Sequence, residues 1–224
     1  MSDALDEFLK SLRDAGFVAT GVKIEKTIVV HGVAGSGKST LINQLINNSE
    51  FAIFNPIASE LHRIDGRRIE RELKPTEGKI NVLDEYLRAD NFDNFDILFG
   101  DPFQSTKIPL VAHYTKNFSH RFKKEILPIL KSIGFEVEAD KEGLEVVVDS
   151  GYTVAVEGKV IAIETEVINH LKAHNCEVFT PNCVQGLEFK VVSFYHSRDL
   201  ESLDKTEVYI ALTRALEKIN ILRI

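Results

Sequence analysis

Gly32, Gly35, Ser36, Gly37, Lys38 and Ser39 stand at the spacing G-x-x-x-x-G-K-[ST], between the β-branched run TIVVH (27–31) and the helical pattern LINQLINN (41–48). Strand, loop and helix in that order are the context in which the spacing has a chemical meaning. The glycines let the backbone curl until its N–H groups and the N-terminus of the following helix converge on phosphate oxygens. Lys38 then reaches the β- and γ-phosphates of a nucleotide, Ser39 offers its hydroxyl to Mg2+, and Thr40 lies behind it. The plainer reading, a glycine-rich turn with a solvated lysine, gives no reason for the flanking strand and helix.

Kinases, GTPases and motors all use such a loop, so the acids downstream must discriminate. Asp84 and Glu85 close the apolar segment KINVLDEY (79–86). Adjacent carboxyls at a strand end take different roles: Asp84 can hold Mg2+ through water, while Glu85 can orient and deprotonate an attacking water. A hydrolase needs that second acid, whereas a phosphotransferase to a small hydroxyl does not. Asp-Glu pairs are common on surfaces; the position after a buried strand, downstream of the loop, is what favours hydrolysis. No Asn-Lys-x-Asp guanine signature is present. Gln104 ends GDPFQ (100–104), after the next apolar run, and puts an amide where it could sense a γ-phosphate.

The elements that must hold these groups follow from periodicity. Leu5, Phe8, Leu9 and Leu12 recur at helical spacing and predict an amphipathic helix packed on the first domain. EFAIF (50–54), KINVLDEY and FDILFGD (95–101) are short apolar runs that read as buried parallel strands, so the first half is an open α/β sheet. From His113 the pattern restarts with a helical FKKEILPILKSIG (122–134), the run GLEVVVDS (143–150) and YTVAVEGKVIAI (152–163), a hairpin turning at Glu157 and Gly158. The helix TEVINHLKAHN (165–175) and the runs CEVFT, FKVVSFYH and INILRI complete a second α/β unit. The expected domains are 1–112 and 113–224.

Composition bounds the rest. The 224 residues are 44% hydrophobic and 27% charged, enough for two compact domains and incompatible with disorder, collagen or a small stapled scaffold. Cys176 and Cys183 are the only cysteines, which fits a reducing compartment. Three acids in the first ten residues and the lack of any long apolar run predict a soluble chain without a cleaved signal. The net charge is −7, with 13 basic and 17 acidic residues in 1–112 and 14 and 17 in 113–224. Neither half is a basic arm, so any contact with RNA or DNA comes from a local patch. Phe54-Asn55-Pro56 and Phe103 are candidates for base stacking, although core packing suits both phenylalanines better. Arg67, Arg71 and Lys74 fall on one face of a predicted helix within 63–74; Glu60, Asp65, Glu70 and Glu72 interleave with them and favour a self-compensated, solvated face. His170, His174, Cys176 and Cys183 have a spacing that matches no common zinc site.

The order GxxGSGKS, DEY, GDPFQ resembles the superfamily 1 helicases of positive-strand RNA viruses. The second half continues the resemblance: Ser119-His120-Arg121-Phe122 is similar to that family's fourth motif, Val184 to Phe189 (VQGLEF) to its fifth, and Tyr209 to Ala215 (YIALTRA) to its sixth. The size, about 25 kDa with neither methyltransferase nor polymerase, resembles the free-standing helicase cores of the plant-virus triple gene block in their potexvirus and carlavirus form. The resemblance implies two RecA-like P-loop domains with mostly parallel sheets, helices on both faces and nucleotide in the cleft. It further implies a Mg2+-dependent, RNA-stimulated NTPase, with ATP as substrate and with Arg121 and Arg214 as arginine fingers in cis. Gly186 and Glu188 then contact the ribose and the nucleic-acid backbone, where a turn glycine and a solvent-facing acid are the competing roles. Cell-to-cell movement of viral RNA, suppression of RNA silencing, single-stranded RNA and viral RNA complexes as partners, self-association, small viral membrane proteins as partners and a host-cytoplasmic location all come from the resemblance alone. The same holds for the rival expectation, an RNA- and protein-binding module in which nucleotide is only a conformational ligand. Without inserted subdomains, hydrolysis is expected to outstrip processive unwinding.

Overall fold

A computed structural model describes residues 2–57 and 69–224. The chain divides into two compact units, Met1–Phe118 and Ser119–Ile224.

In the first unit, β1 (Val18–Ala19), β2 (Ile28–Gly32), β3 (Phe51–Phe54), β4 (Ile69–Glu70), β5 (Ile80–Leu83), β6 (Ile97–Gly100) and β7 (Tyr114–Lys116) form one sheet. Their order is β1-β7-β2-β6-β5-β3-β4, and only the β1–β7 pair is antiparallel. β2 is buried along its whole length, which is why it is a β-branched run rather than an alternating one. Its residues still split between two faces. Ile28 and Val30 pack with Phe8 and Leu12 of α1 (Ser2–Asp14) and with Leu41 and Ile42 of α2 (Lys38–Leu45). Val29 packs on the other face with Phe54, Leu83, Tyr86 and Leu98. Phe8 and Leu12 are fully buried, so the amphipathic stripe of α1 is a core face.

The second unit contains β8 (Glu145–Ser150), β9 (Lys159–Ala162), β10 (Val178–Phe179), β11 (Phe189–His196) and β12 (Ala215–Arg223), ordered β10-β9-β11-β12-β8 and all parallel. Its helices are α3 (Leu127–Ser132), α4 (Thr165–Ala173), α5 (Pro181–Val184) and α6 (Lys205–Leu212). α4 sets Val167 and Leu171 against Val160, Ala162, Tyr195 and Leu222. In α6 every residue from Val208 to Leu212 is buried. Among the described residues, no helix is long and apolar enough to cross a membrane.

Three expectations are corrected. The division falls after Phe118 rather than after residue 112, because the strand that follows His113 joins the first sheet, pairing with β2 and β1. Residues 152–163 are not a hairpin: β9 pairs in parallel with β10 and β11, and 152–157 form no strand. Glu157 lies instead along β11, its carbonyl accepting from Ser193 Oγ at 2.7 Å, and Gly158 packs so closely that a Cβ would collide with the Val191 carbonyl. The third concerns 63–74, of which 63–68, with Arg67, lie outside the described residues, as do Glu60 and Asp65. Ile69 and Glu70 are a strand paired with Ile53 and Phe54, so Arg71 and Lys74 share no helical face. A partly buried Ile69 packed on the core outweighs the local helical pattern there.

Candidate nucleotide site

Three parallel strands, β2, β6 and β5, lie side by side, and each ends in one of the motifs. Ligands of open parallel sheets bind beyond such C-terminal ends. After β2 the chain passes through Gly35 and Gly37, at φ 77° and 101°, conformations that side chains rarely adopt. Gly37 caps α2, so Lys38, Ser39 and Thr40 form the helix's first turn, with Ser39 and Thr40 exposed. Gly32 is required for a different reason: a Cβ there would run into Ser36 Oγ. Lys38 is buried and folds back over the loop, donating to the carbonyls of Gly32 (2.5 Å) and Val33 (3.2 Å). Ser36 Oγ is buried without a hydrogen-bond partner, beside a loop that can offer backbone N–H groups to an anion.

Two strands away from β2, Asp84 and Glu85 follow β5. Asp84 is held from two sides, its Oδ2 accepting from Asn55 Nδ2 and its Oδ1 from the Glu85 N–H, both at 3.0 Å. Burial nevertheless raises its pKa, against the opposing influence of Lys38, the Glu85 N–H and Asn55. Glu85 is raised to about 7, by burial first and then by the Asp84 charge, with Lys38 pulling the other way and Asp101 adding to the rise. The backbone of Glu85 is left-handed, φ 54° and ψ 41°. Between the two motifs, beyond β6, Gln104 is buried and donates from Nε2 to Asp101 Oδ2 at 2.6 Å; the other oxygen of Asp101 accepts from the Phe103 N–H.

The first unit thus brings Lys38, Asp84, Glu85, Asp101 and Gln104 to one sheet edge. Sequence reasoning missed the residues that orient them. Asn55 stood in a segment considered for base stacking, yet Phe54 is core, packed edge-on to Phe95, and the Asn55 amide serves Asp84. His31, on β2, lies parallel to the Tyr86 ring, with Nε2 and Oη 2.9 Å apart, and Tyr86 Oη accepts from the Leu110 N–H. Burial and the nearby Lys38 lower the His31 pKa to about 4. The only signal for this pair in the sequence was the histidine inside an otherwise β-branched run.

In the second unit, Arg121 and Glu188 meet: Nε and Oε1 are 2.6 Å apart, and both side chains are partly exposed. Gly186, at φ 79°, is the third residue of a tight turn closed by the Leu187 N–H on the Val184 carbonyl, with Gln185 at φ −61° and ψ 134° before it. Arg214 is fully buried. It donates to the carbonyls of Ile210 (3.0 Å) and Leu187 (3.4 Å) and to Thr213 Oγ1 (2.9 Å).

Comparison with known proteins agrees with these motifs. Residues 28–223 match the viral superfamily 1 RNA helicase core domain. The chain belongs to the viral superfamily 1 RNA helicase family. Relatives along nearly its whole length are the movement and silencing protein TGBp1 of Apple stem pitting virus (isolate PA66) and of Papaya mosaic potexvirus. The first is 34% identical over 220 residues, covering 96% of this chain and 98% of the relative. The second is 33% identical over 221 residues, covering 97% and 95%. The protein of the same name from Chrysanthemum virus B is 34% identical over 215 residues, covering 94% and 93%. Among solved structures, the PRRSV helicase superposes with a TM-score of 0.63 at 17% identity, covering 88% of this chain and 52% of that one. Arterivirus nonstructural protein 10 (helicase), solved with DNA, gives 0.55 at 16% identity, covering 96% and 57%. At these identities the likeness shows the fold alone, and this chain spans about half the length of those helicases.

Proposed function

We propose that the chain is a Mg2+-dependent, RNA-stimulated NTPase of the helicase type that serves viral cell-to-cell movement and silencing suppression. The observation that carries this reading is the gathering of Lys38, Asp84, Glu85 and Gln104 beyond the C-terminal ends of β2, β5 and β6, where burial and the Asp84 charge push Glu85 up to about 7. A carboxyl poised near neutrality is what a general base requires, and a structural carboxylate would gain nothing from it.

Each residue then has a task. The loop N–H groups of Gly35, Ser36 and Gly37 and the first turn of α2 bind phosphate, with Gly32 keeping the loop close-packed. Lys38 exchanges its two carbonyl partners for phosphate oxygens. Hard oxygen donors, the Asp84 carboxylate and the Ser39 hydroxyl, fit Mg2+, which takes few protein ligands and completes its shell with phosphate and water; Thr40 lies beside them. Bound there, the ion would neutralise charge on the β- and γ-phosphates. Asn55 and the Glu85 N–H fix the orientation of Asp84 for that role. Glu85 accepts a proton from the attacking water at its carboxylate. Asp101 holds Gln104 by its amide, leaving the carbonyl end for the water or the phosphate. From the second unit, Arg121 and Arg214 supply fixed positive charge to the transferred phosphoryl group, and Gly186 and Glu188 contact the nucleotide ribose. ATP is the proposed substrate, and single-stranded RNA, viral RNA complexes, further copies of the chain and small viral membrane proteins are the proposed partners, in the host cytoplasm.

A second reading draws on Arg121, whose guanidinium is already paired with Glu188: nucleotide acts as a conformational ligand with little turnover. Phosphate release with and without single-stranded RNA, for the parent and Glu85→Gln side by side, separates the two. Turnover that RNA raises and Glu85→Gln abolishes supports the enzyme. Equal, RNA-insensitive rates in both proteins overturn it.

A further inference from the structure

Among the described residues, four strands form the rims of the two sheets, and three of them, β1, β4 and β10, are only two residues long. Shortness is one of the ways proteins blunt an edge that would otherwise recruit another strand. β8 is different. It has six residues, Glu145–Ser150, with neither proline nor lysine, and its register on β12 runs unbroken from Glu145↔Lys218 to Ser150↔Arg223. Parallel pairing uses alternate backbone groups of a strand on each side. Val146 and Val148 therefore turn their N–H and C=O groups away from β12, along the open rim, whereas those of Ser150 are engaged, the N–H by Asp149 Oδ1 and the carbonyl by Thr153.

The side chains make this rim apolar on one face and acidic on the other. Ile161, Phe194, Ile221 and Val148 share a row across the sheet. The first three are at most 1% exposed, whereas Val148 is 69% exposed, so a core row continues into solvent. Val156 and Tyr152, just after the strand, are also exposed. The opposite face of β8 carries Glu145, Val147 and Asp149. The Lys218 ammonium, 3.3 Å from Glu145, is shared with Glu157, and Asp149 is exposed.

We propose that the open edge of β8 docks an extended segment of another protein, one with β-branched residues opposite Val146 and Val148 and lysines or arginines opposite Glu145 and Asp149. Backbone pairing supplies affinity and the alternating side chains supply selectivity. A second copy is the poorer occupant, since antiparallel pairing of two β8 strands centred on Val147 sets Glu145 of each against Asp149 of the other. The proposal is independent of the nucleotide reading.

The test uses the full chain and a synthetic peptide of about eight residues in which valine and lysine alternate, at about 0.15 M salt so that bulk attraction is screened. A control peptide holds the same residues in two blocks. The alternating peptide is expected to bind about tenfold more tightly than the block peptide and to slow hydrogen exchange at the Val146 and Val148 amides. Val148→Lys is expected to remove that margin, and Asp149→Lys to shift preference toward a peptide alternating valine with glutamate. Equal binding of the two peptides, or protection outside β8, overturns the proposal. So does a dimer of the free chain that protects β8 and is dissolved by Val148→Lys, because it gives the edge to a second copy.

Discussion

The two units place their candidate residues at opposite ends of their strands. In the first, Lys38, Asp84, Glu85 and Gln104 follow the C-terminal ends of β2, β5 and β6; in the second, Gly186, Glu188 and Arg214 precede the N-terminal ends of β11 and β12. The electrostatics differ as much as the geometry. The first unit holds two carboxyl groups whose pKa burial raises, Glu85 being raised further by the Asp84 charge. The second holds guanidinium groups whose charge does not change with pH and which are engaged by partners of their own unit. In the proposed reaction, proton transfer falls to the first unit and constant charge to the second, and a substitution should betray which side it struck by what it alters.

The strongest blow to that contrast falls on the loop and the base. Lys38→Ala is expected to leave no detectable turnover and to weaken nucleotide binding, read by calorimetry. Glu85→Gln should lower kcat by about 10²–10⁴-fold while changing nucleotide affinity little. If both variants lose binding and rate in proportion, the division of labour within the first unit is wrong. Arg214→Ala comes next, and its effect should be on folding as well as rate. Removing a fully buried guanidinium takes a donor from the Ile210 and Leu187 carbonyls and from Thr213 Oγ1, a loss of about 2–4 kcal/mol in denaturant unfolding. Arg121→Ala, which breaks a partly exposed pair, should cost under about 1 kcal/mol of stability.

Acidity sharpens the contrast further. On the proposal that Glu85, raised to about 7, is the base, the parent rate should climb about tenfold per pH unit below that value and level off above it, and Glu85→Gln should flatten the limb. Stability has two opposed contributions. Glu85 binds its proton more tightly folded than unfolded, so it costs stability as pH rises from its ordinary value of 4.5 to about 7. His31 is the reverse: its folded pKa of about 4 lies below the usual 6.5, so its stability is complete above about 6.5 and lost as pH falls toward 4. His31→Gln should remove the acid-side loss in thermal melts, and an unchanged acid limb would assign that loss elsewhere.

Much of the scaffold is legible in the sequence because the reasons are local. A β-branched run before GxxGSGKS reads as a buried strand feeding a helix, and the Phe8 and Leu12 periodicity reads as a core stripe, as both are. The placement of Asp84 and Glu85 at a strand end reads from the apolar run before them. What orients it does not, because Asn55 reaches Asp84 across 29 positions and Tyr86 meets His31 across 55. No spacing rule spans such distances. The hairpin at 152–163 failed for a related reason: alternation in YTVAV satisfies the strand pattern, but the exposed Tyr152 and Val156 have no neighbouring strand to pair with. At 69–70 the opposite happened, and a seat on the rim of β3 overrode a helical rhythm of charges.

The left-handed backbone at Glu85 has a cost that its neighbours must cover. Glycine would sit there at ease, and Glu85→Gly should make the chain sturdier by up to about 1 kcal/mol, since an L-residue with a bulky side chain resists that conformation. The same exchange would strip out the carboxyl. If the carboxyl is the proposed base, durability and reactivity pull against each other at a single peptide unit, and a lineage that kept the acid would be keeping a slightly weaker protein in return for turnover.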